Sequence, residues 1–451
     1  RIDATDAGNA NAIDLDVSLI GGLETIILRN NDDANAETAN FDINEMAAGI
    51  TVQVQHSSAN ANDDAADTNV YLHQADGTGT ADSQTVEIIS GTNTSETFDF
   101  TLNIQANDAD ATDPDDAEVE SVTIIDSDQE NNIVVLSSVA EHDGTLTLSG
   151  GRADDTFTIS GNLVATTVEA TAQLSDVVID NGAADQDINM GSGDDNVYFQ
   201  TAGGLTDDDD VSGGDGDDTI WAGFGANSDD DLNVSGVERI NLDANANVTV
   251  DISESDDLTT VGIISNAHAD NVTSGDESTV INLIADSISV IHFVGDTQTV
   301  DDFNGITITD EDADNPATVT INVDASDDGE SNIGVITLDA DTTSLTINNN
   351  NDHNDTNDVT EFTGVAAAGL LTLVVTDDIT DADGSAVEDT IIDLDDTVAL
   401  TSGDASAALG GLQINIEALA DNATINLVQA DDAGDDAQDD LDITFVGDTG
   451  A

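Results

Sequence analysis

Gly213-Gly214-Asp215-Gly216-Asp217-Asp218-Thr219-Ile220-Trp221 fits the nonapeptide G-G-x-G-x-D-x-U-x at every position, U being an apolar residue. Its glycines suit a tight turn in backbone conformations that other residues avoid, leaving carbonyl groups to point at an ion. Asp218 supplies a carboxylate, and Thr219-Ile220-Trp221 reads as a short strand that buries Ile220. A unit this short cannot bury its own apolar face. It must stack on a neighbour, so the stretch predicts β-solenoid or parallel β-roll elements. Calcium takes roughly six to eight oxygen ligands, which two stacked turns would share.

Two degraded copies lie upstream. Gly150-Gly151-Arg152-Ala153-Asp154-Asp155-Thr156-Phe157-Thr158 has Ala153 at the fourth position, and Met190-Gly191-Ser192-Gly193-Asp194-Asp195-Asn196-Val197-Tyr198 has Met190 at the first. The carboxylate and apolar positions survive as Asp155 with Phe157 and Asp195 with Val197. Candidate metal-ligating positions are therefore Gly151, Asp155, Gly191, Gly193, Asp195, Gly213, Gly214, Gly216 and Asp218. Gly203-Gly204 followed by residues 207–210, and residues 223–231, look like further broken turns. The copies are not strictly consecutive, so irregular sites are expected rather than one long uniform roll. The competing reading is a set of Gly/Asp surface turns that bind nothing tightly.

Outside this region the periodicity is strand-like. Short β-branched or alternating runs stand at residues 50–54, 98–104, 248–252, 319–323, 345–347, 425–427 and 443–445, each bounded by Asp, Asn, Gly or Ser. Residues 45–48 and 406–409 are the only helical candidates, a turn or so each. The chain is therefore expected to be all-β, with β-roll or solenoid elements, sandwich-like or β-helical flanking segments and almost no helix. A weak repeat favours the solenoid: Gly22-Leu23-Glu24-Thr25-Ile26-Ile27-Leu28 recurs as Gly236-Val237-Glu238-Arg239-Ile240-Asn241-Leu242, and more loosely at residues 118–124. In a β-rich sequence of low diversity, coincidence is the alternative. Composition divides the chain into a β-rich N-terminal domain (1–148), a Gly/Asp calcium-binding region (149–235) and a β-rich repeat region (236–451).

Charge sharpens the question. Ninety-six acidic residues, 78 Asp and 18 Glu, face four basic ones, all arginine, for a formal net charge of −92. Such a chain cannot neutralise itself, and self-repulsion opposes compaction unless cations bind or screen it. A 38% hydrophobic content with only two prolines argues against disorder. A basic face for nucleic acid cannot be built here. No apolar run approaches the roughly 18 residues needed for a membrane helix. The chain begins at Arg1 without an initiator Met or an apolar signal segment, so a processed or partial chain is expected.

Catalytic constellations are missing. No cysteine or lysine is present, no H-E-x-x-H or G-x-S-x-G motif occurs, and the six histidines are scattered. His292, between Ile291 and Phe293, reads as a strand residue rather than a ligand. Paired carboxylates leave a glycosidase formally open, but aromatics at 3% offer little for sugar stacking. No enzyme is expected. Secondary cation candidates are the D-x-D-x-D run Asp310, Asp312 and Asp314, and Asp324, Ser326 and Asp328 before Gly329. The latter resembles half an EF-hand loop, but Val335 stands where the bidentate Glu belongs. The Asp runs at 207–210 and 229–231 read as solvated faces.

On these turns and strands the chain resembles the calcium-binding RTX proteins, and among them bacterial surface-layer (S-layer) proteins. The turns cover about 80 residues; the strand runs at 22–28, 145–150 and 344–347, the absence of Cys and the absence of Lys extend the likeness. The resemblance implies several bound Ca2+ ions, export by a type I system, folding outside the cell, and calcium-dependent self-assembly into a cell-surface lattice. It also implies copies of the chain itself as partners, with a surface polysaccharide such as lipopolysaccharide as anchor. The family's C-terminal export signal is not recognisable at residues 446–451. A calcium-rigidified adhesin or extracellular filament subunit is the alternative, and a general halophile adaptation a third reading.

Overall fold

Alternation builds the strands. Thr68–Gln74 and Ser83–Ile89 bury every second residue, as a half-buried β-strand must. In the computed structural model all regular elements of the described residues are strands, so the chain is all-β. The structure describes residues 1–6, 13–30, 39–56, 68–75, 83–89, 98–106, 119–127, 132–136, 144–161, 163, 165–180, 185–199, 204–224, 229–244, 247–253, 255, 257–264, 280–285, 287–295, 300–303, 305–309, 318–324, 330–350, 360–367, 369–370, 372–377, 390–394, 400–408, 412–416, 419–426 and 441–445. Among them no helix is long and apolar enough to cross a membrane.

The chain forms two compact units, one of residues 1–198 with 208–219, the other of 199–207 with 220–451. In the first unit successive strands alternate between two parallel ladders. One runs Ile2–Asp6, Thr25–Asn30, Thr51–His56, Ser83–Ile89, Ser121–Asp126, Thr145–Gly150, Thr167–Gln173, Asp187–Asn189 and Asp210–Ser212. The other runs Ile13–Asp16, Ala39–Met46, Thr68–Gln74, Phe98–Ala106, Asn132–Leu136, Thr156–Gly161, Asp176–Asp180 and Asn196–Phe199. Each turn of chain thus adds one strand to each sheet, which is the construction of a two-sheeted β-solenoid.

The second unit repeats the scheme. One ladder runs from Arg239–Ala244 through Thr260–Ile264, Val290–Val294, Thr318–Asp324, Ser344–Asn349, Thr372–Asp377 and Leu400–Ala408 to Leu419–Asn426. The other includes Val248–Asp251, Val280–Ile284, Gly305–Thr309, Ile336–Leu338, Thr360–Ala367, Thr390–Leu394, Leu412–Ile416 and Leu441–Phe445. Parallel registry stacks like on like. Ile26, Val52, Val86, Ile124 and Leu148 form one inward column, each fully buried. Ile240, Val261, Ile291, Ile321, Ile347 and Val375 form its counterpart in the second unit. Each such side chain contributes about 1.5–3 kcal/mol on burial. Outward columns are polar and half-buried, as in Thr25, Thr51, Thr85, Thr123 and Thr147.

The weak repeat has a structural counterpart. The carbonyl oxygens of Glu24, Glu120 and Glu238, each just before a strand, accept the N–H of Thr51, Thr145 and Thr260 on the following turn. Gly22 and Gly236 precede two of them with φ of 74° and 57°. His292 is a strand residue, as its neighbours predict: Ile291 and Phe293 face the core, and its Nε2 lies 2.6 Å from Asp324 Oδ2. Neither helical candidate forms. Glu45 lies inside Ala39–Met46 at φ 58°, where the register shifts between Ile43 and Met46, and residues 406–408 end the strand Leu400–Ala408. Both segments were too short to carry a helical period of their own, and the ladder decides their conformation.

Candidate metal centre

The three Gly/Asp copies fall on one corner of the first unit, where each turn of chain leaves the first ladder and enters the second. Four consecutive corners stack there, at residues 150–155, 173–176, 190–195 and 213–218. Leu174 N–H donates to Gly150 O at 2.9 Å, Ser192 N–H to Gln173 O at 3.4 Å, and Asp215 N–H to Gly191 O at 3.1 Å. The last two corners, both copies of the motif, are therefore direct neighbours. The first copy is separated from them by the corner at 173–176, which has no glycine.

Between the two neighbouring copies the turns approach as closely as backbones can. A Cβ on Gly216, at φ +150°, would lie 1.9 Å from Gly193 O, and one on Gly214 2.2 Å from Gly191 O. That proximity is the physical reason for the motif's glycines here. Gly213 is buried at the entry to the turn, and Gly191 and Gly193 are half-buried beneath it.

Carboxylates bind the corners together in two rows. In the inner row Asp195 and Asp218 are each 2% exposed. Asp218 Oδ1 accepts the N–H of Asp195 at 2.8 Å, and Asp195 Oδ1 accepts that of Val177 at 2.6 Å. Asp195 Oδ2 also accepts from Gly191 N–H at 3.3 Å. In the outer row Asp194 Oδ1 accepts from Asp217 N–H at 3.0 Å, and Asp176 Oδ1 from Asp194 N–H at 2.9 Å. The spacing along the chain is 18 residues between the corners at 176 and 194, and 23 between those at 194 and 217.

Two buried carboxylates on adjacent corners repel each other. Burial pushes the Asp195 carboxyl up to about 7 from its ordinary value of 3.8, and the charges of Asp218 and then Asp176 push the same way, against its backbone hydrogen bonds. Between about pH 4 and pH 7 the folded state therefore holds a proton that the unfolded chain has released. Asp195's contribution to stability is complete below its unfolded value and is lost as the pH rises through about 7. In chelator, the melting temperature should rise on acidification from about pH 8 to about pH 5, and Asp195→Asn should flatten that slope. Equal slopes in the two proteins would show that another group titrates.

The first copy differs in its electrostatics. Arg152 Nε stands 3.3 Å from Asp155 Oδ2, so this copy carries its own cation at the third position of the motif. Gly151 packs instead against Gln173 and Ser175 of the next corner. The structure thus brings Gly191, Gly193, Asp195, Gly213, Gly214, Gly216 and Asp218 together and leaves Gly151 and Asp155 apart. Asp310, Asp312 and Asp314, with Ser326, Asp328 and Gly329, lie outside the described residues. Asp324 ends a strand, where Oδ1 accepts from Asn350 Nδ2 at 3.0 Å.

Sequence reading passed over two features. The corner at 173–176 takes part through Asp176 and Val177, signalled only by the strand that follows. Within the Asp run 207–210, Asp209 is 1% exposed rather than solvated. Its signal was Asp209-Asp210-Val211, the same D-x-U spacing as Asp218-Thr219-Ile220.

Among the described residues no three His, Asp or Glu side chains gather into a ready-made metal cluster. A cation at this corner would take carboxylate oxygen from Asp195 and Asp218 and main-chain oxygen from the glycine turns. The donors are all oxygen, the kind of ligand that a hard cation such as calcium takes. Comparison with protein-family models, with curated proteins and with solved structures gives no match.

Proposed function

We propose that the chain is a secreted structural protein, a subunit that binds calcium and assembles with its own copies into a cell-surface lattice of the S-layer type. The observation that carries this reading is the pair of stacked corners with Asp195 and Asp218 buried side by side. Calcium there would replace backbone N–H groups as the partner of the carboxylates and lock two turns of the solenoid together. The remaining charge fits the same role. With four arginines and no lysine, mixed-sign ion pairs between copies are scarce, and divalent ions bridging acidic faces take their place.

Regular polar columns on parallel sheets support a structural rather than a catalytic task. The reading gives the chain no enzymatic role and assigns its anchoring to a surface polysaccharide such as lipopolysaccharide. Negative-stain imaging of the full chain provides the test. Calcium should produce ordered sheets that disperse in chelator, whereas sheets that persist in chelator would sink the proposal. Rigid monomers at every calcium concentration would favour the adhesin instead.

A further inference from the structure

The other corner of the first unit, where the chain leaves the second ladder and re-enters the first, holds a buried oxygen to which no donor among the described residues reaches. Gln186 is fully buried there. Its Nε2 donates to the carbonyl oxygen of Ala165 at 2.8 Å. A carbonyl can only accept, so this bond fixes which end of the amide is nitrogen. Oε1 is thereby turned away from Ala165, and among the described residues no donor reaches it.

Three turns of chain meet at this point. Asp187 N–H donates to Thr166 O at 2.8 Å and Asp210 N–H to Gln186 O at 3.0 Å. The N–H of Gln186 donates to Oδ1 of buried Asp209 at 2.7 Å across 23 residues. That bond has the form of the Asp195-to-Asp218 bond at the glycine corner, 2.8 Å across the same 23-residue interval. Asp209-Asp210-Val211 and Gln186-Asp187-Ile188 each place the corner residue before an x-U strand. The two corners thus share one pattern of carboxylate-to-backbone bonds between adjacent turns.

We propose that Gln186 Oε1 and the Asp209 carboxylate belong to a second cation site, for calcium, at the end of these strands opposite the Gly/Asp turns. Buried amide and carboxylate oxygens from adjacent turns, without nitrogen or sulfur, form the donor set of a hard cation. A cation also gives Oε1 the partner that a buried acceptor requires. The site lies outside the three motif copies, with Asp209 in the broken turn that follows Gly203-Gly204, and rests on the calcium reading above.

The experiment counts bound calcium and measures the calcium-induced rise in melting temperature for the full chain, for Gln186→Leu, for Asp218→Asn and for the double variant that combines them. Gln186→Leu is expected to lose about one calcium equivalent and part of the melting rise, and the double variant about two equivalents. If Gln186→Leu keeps the wild-type count and melting rise, the acceptor holds only a trapped water and the second site is overturned, while the first stands. A wild-type chain that binds no calcium overturns both. Should Gln186→Leu fail to fold, Gln186→Glu decides. Its added charge should tighten calcium binding severalfold and lower the melting temperature in chelator; unchanged affinity overturns the site.

Discussion

Asp218→Asn should change sign with calcium. In chelator the variant keeps Oδ1 as acceptor for the Asp195 N–H and removes a buried negative charge beside Asp195, so its melting temperature should match or exceed wild type. In calcium it should fall below wild type, because a ligand carboxylate is gone. At a calcium concentration about a hundred times the dissociation constant, binding stabilises by about 2.7 kcal/mol. For a unit of this size that corresponds to roughly 5–10 °C of melting temperature. A parallel drop in both conditions would mean that Asp218 serves as a hydrogen-bond acceptor alone. Wild type and variant should converge in chelator at acid pH, where Asp195 is protonated in both.

Gly216→Ala should be among the most damaging single substitutions in the first unit. The new Cβ would stand 1.9 Å from Gly193 O and 2.7 Å from Gly193 C, both backbone atoms that cannot swing aside. Neighbouring turns are already at β-sheet spacing, roughly 4.8 Å, so relief requires opening the ladder. A cost above about 3 kcal/mol is expected, roughly 6–12 °C, with calcium binding lost as well. Gly22→Ala is the control. Its φ is +74°, but nothing lies within 4 Å of the added Cβ, so only the backbone preference of about 1 kcal/mol is at stake. Equal losses at the two positions would locate the effect in backbone conformation rather than in the approach of the turns.

Strands were legible from the sequence because period-2 alternation survives in single segments, from residues 50–54 to 443–445. Their partners were not. Hydrogen bonds between neighbouring turns span 18 residues at Asp176 and 34 at Gln84, and loops of such unequal length hide the period. The glycine corners were legible because the turns stack so closely that any Cβ would overlap a neighbouring carbonyl, which leaves only one residue type. Asp209 was harder to pick out, since only its spacing to Val211 separates it from the other members of the Asp run, and Gln186 carries no sign in the sequence because its burial depends on which turns stack. Arg152 shows the same limit: its place in the motif is visible, but its pairing with Asp155 is set by the fold of the turn. The two helical candidates failed because a few residues of modest propensity cannot outweigh a ladder bonded on both sides.

The most direct measurement is the calcium retained by the purified full chain after dialysis against about 0.1 mM calcium, above the sensor range of calcium affinities and at the tight edge of the range of extracellular modules. Tight, countable calcium in the wild type, reduced by about one equivalent in Asp218→Asn, is the predicted result. A wild-type chain that retains none beyond the exchangeable counter-ions of its acidic surface would contradict the account.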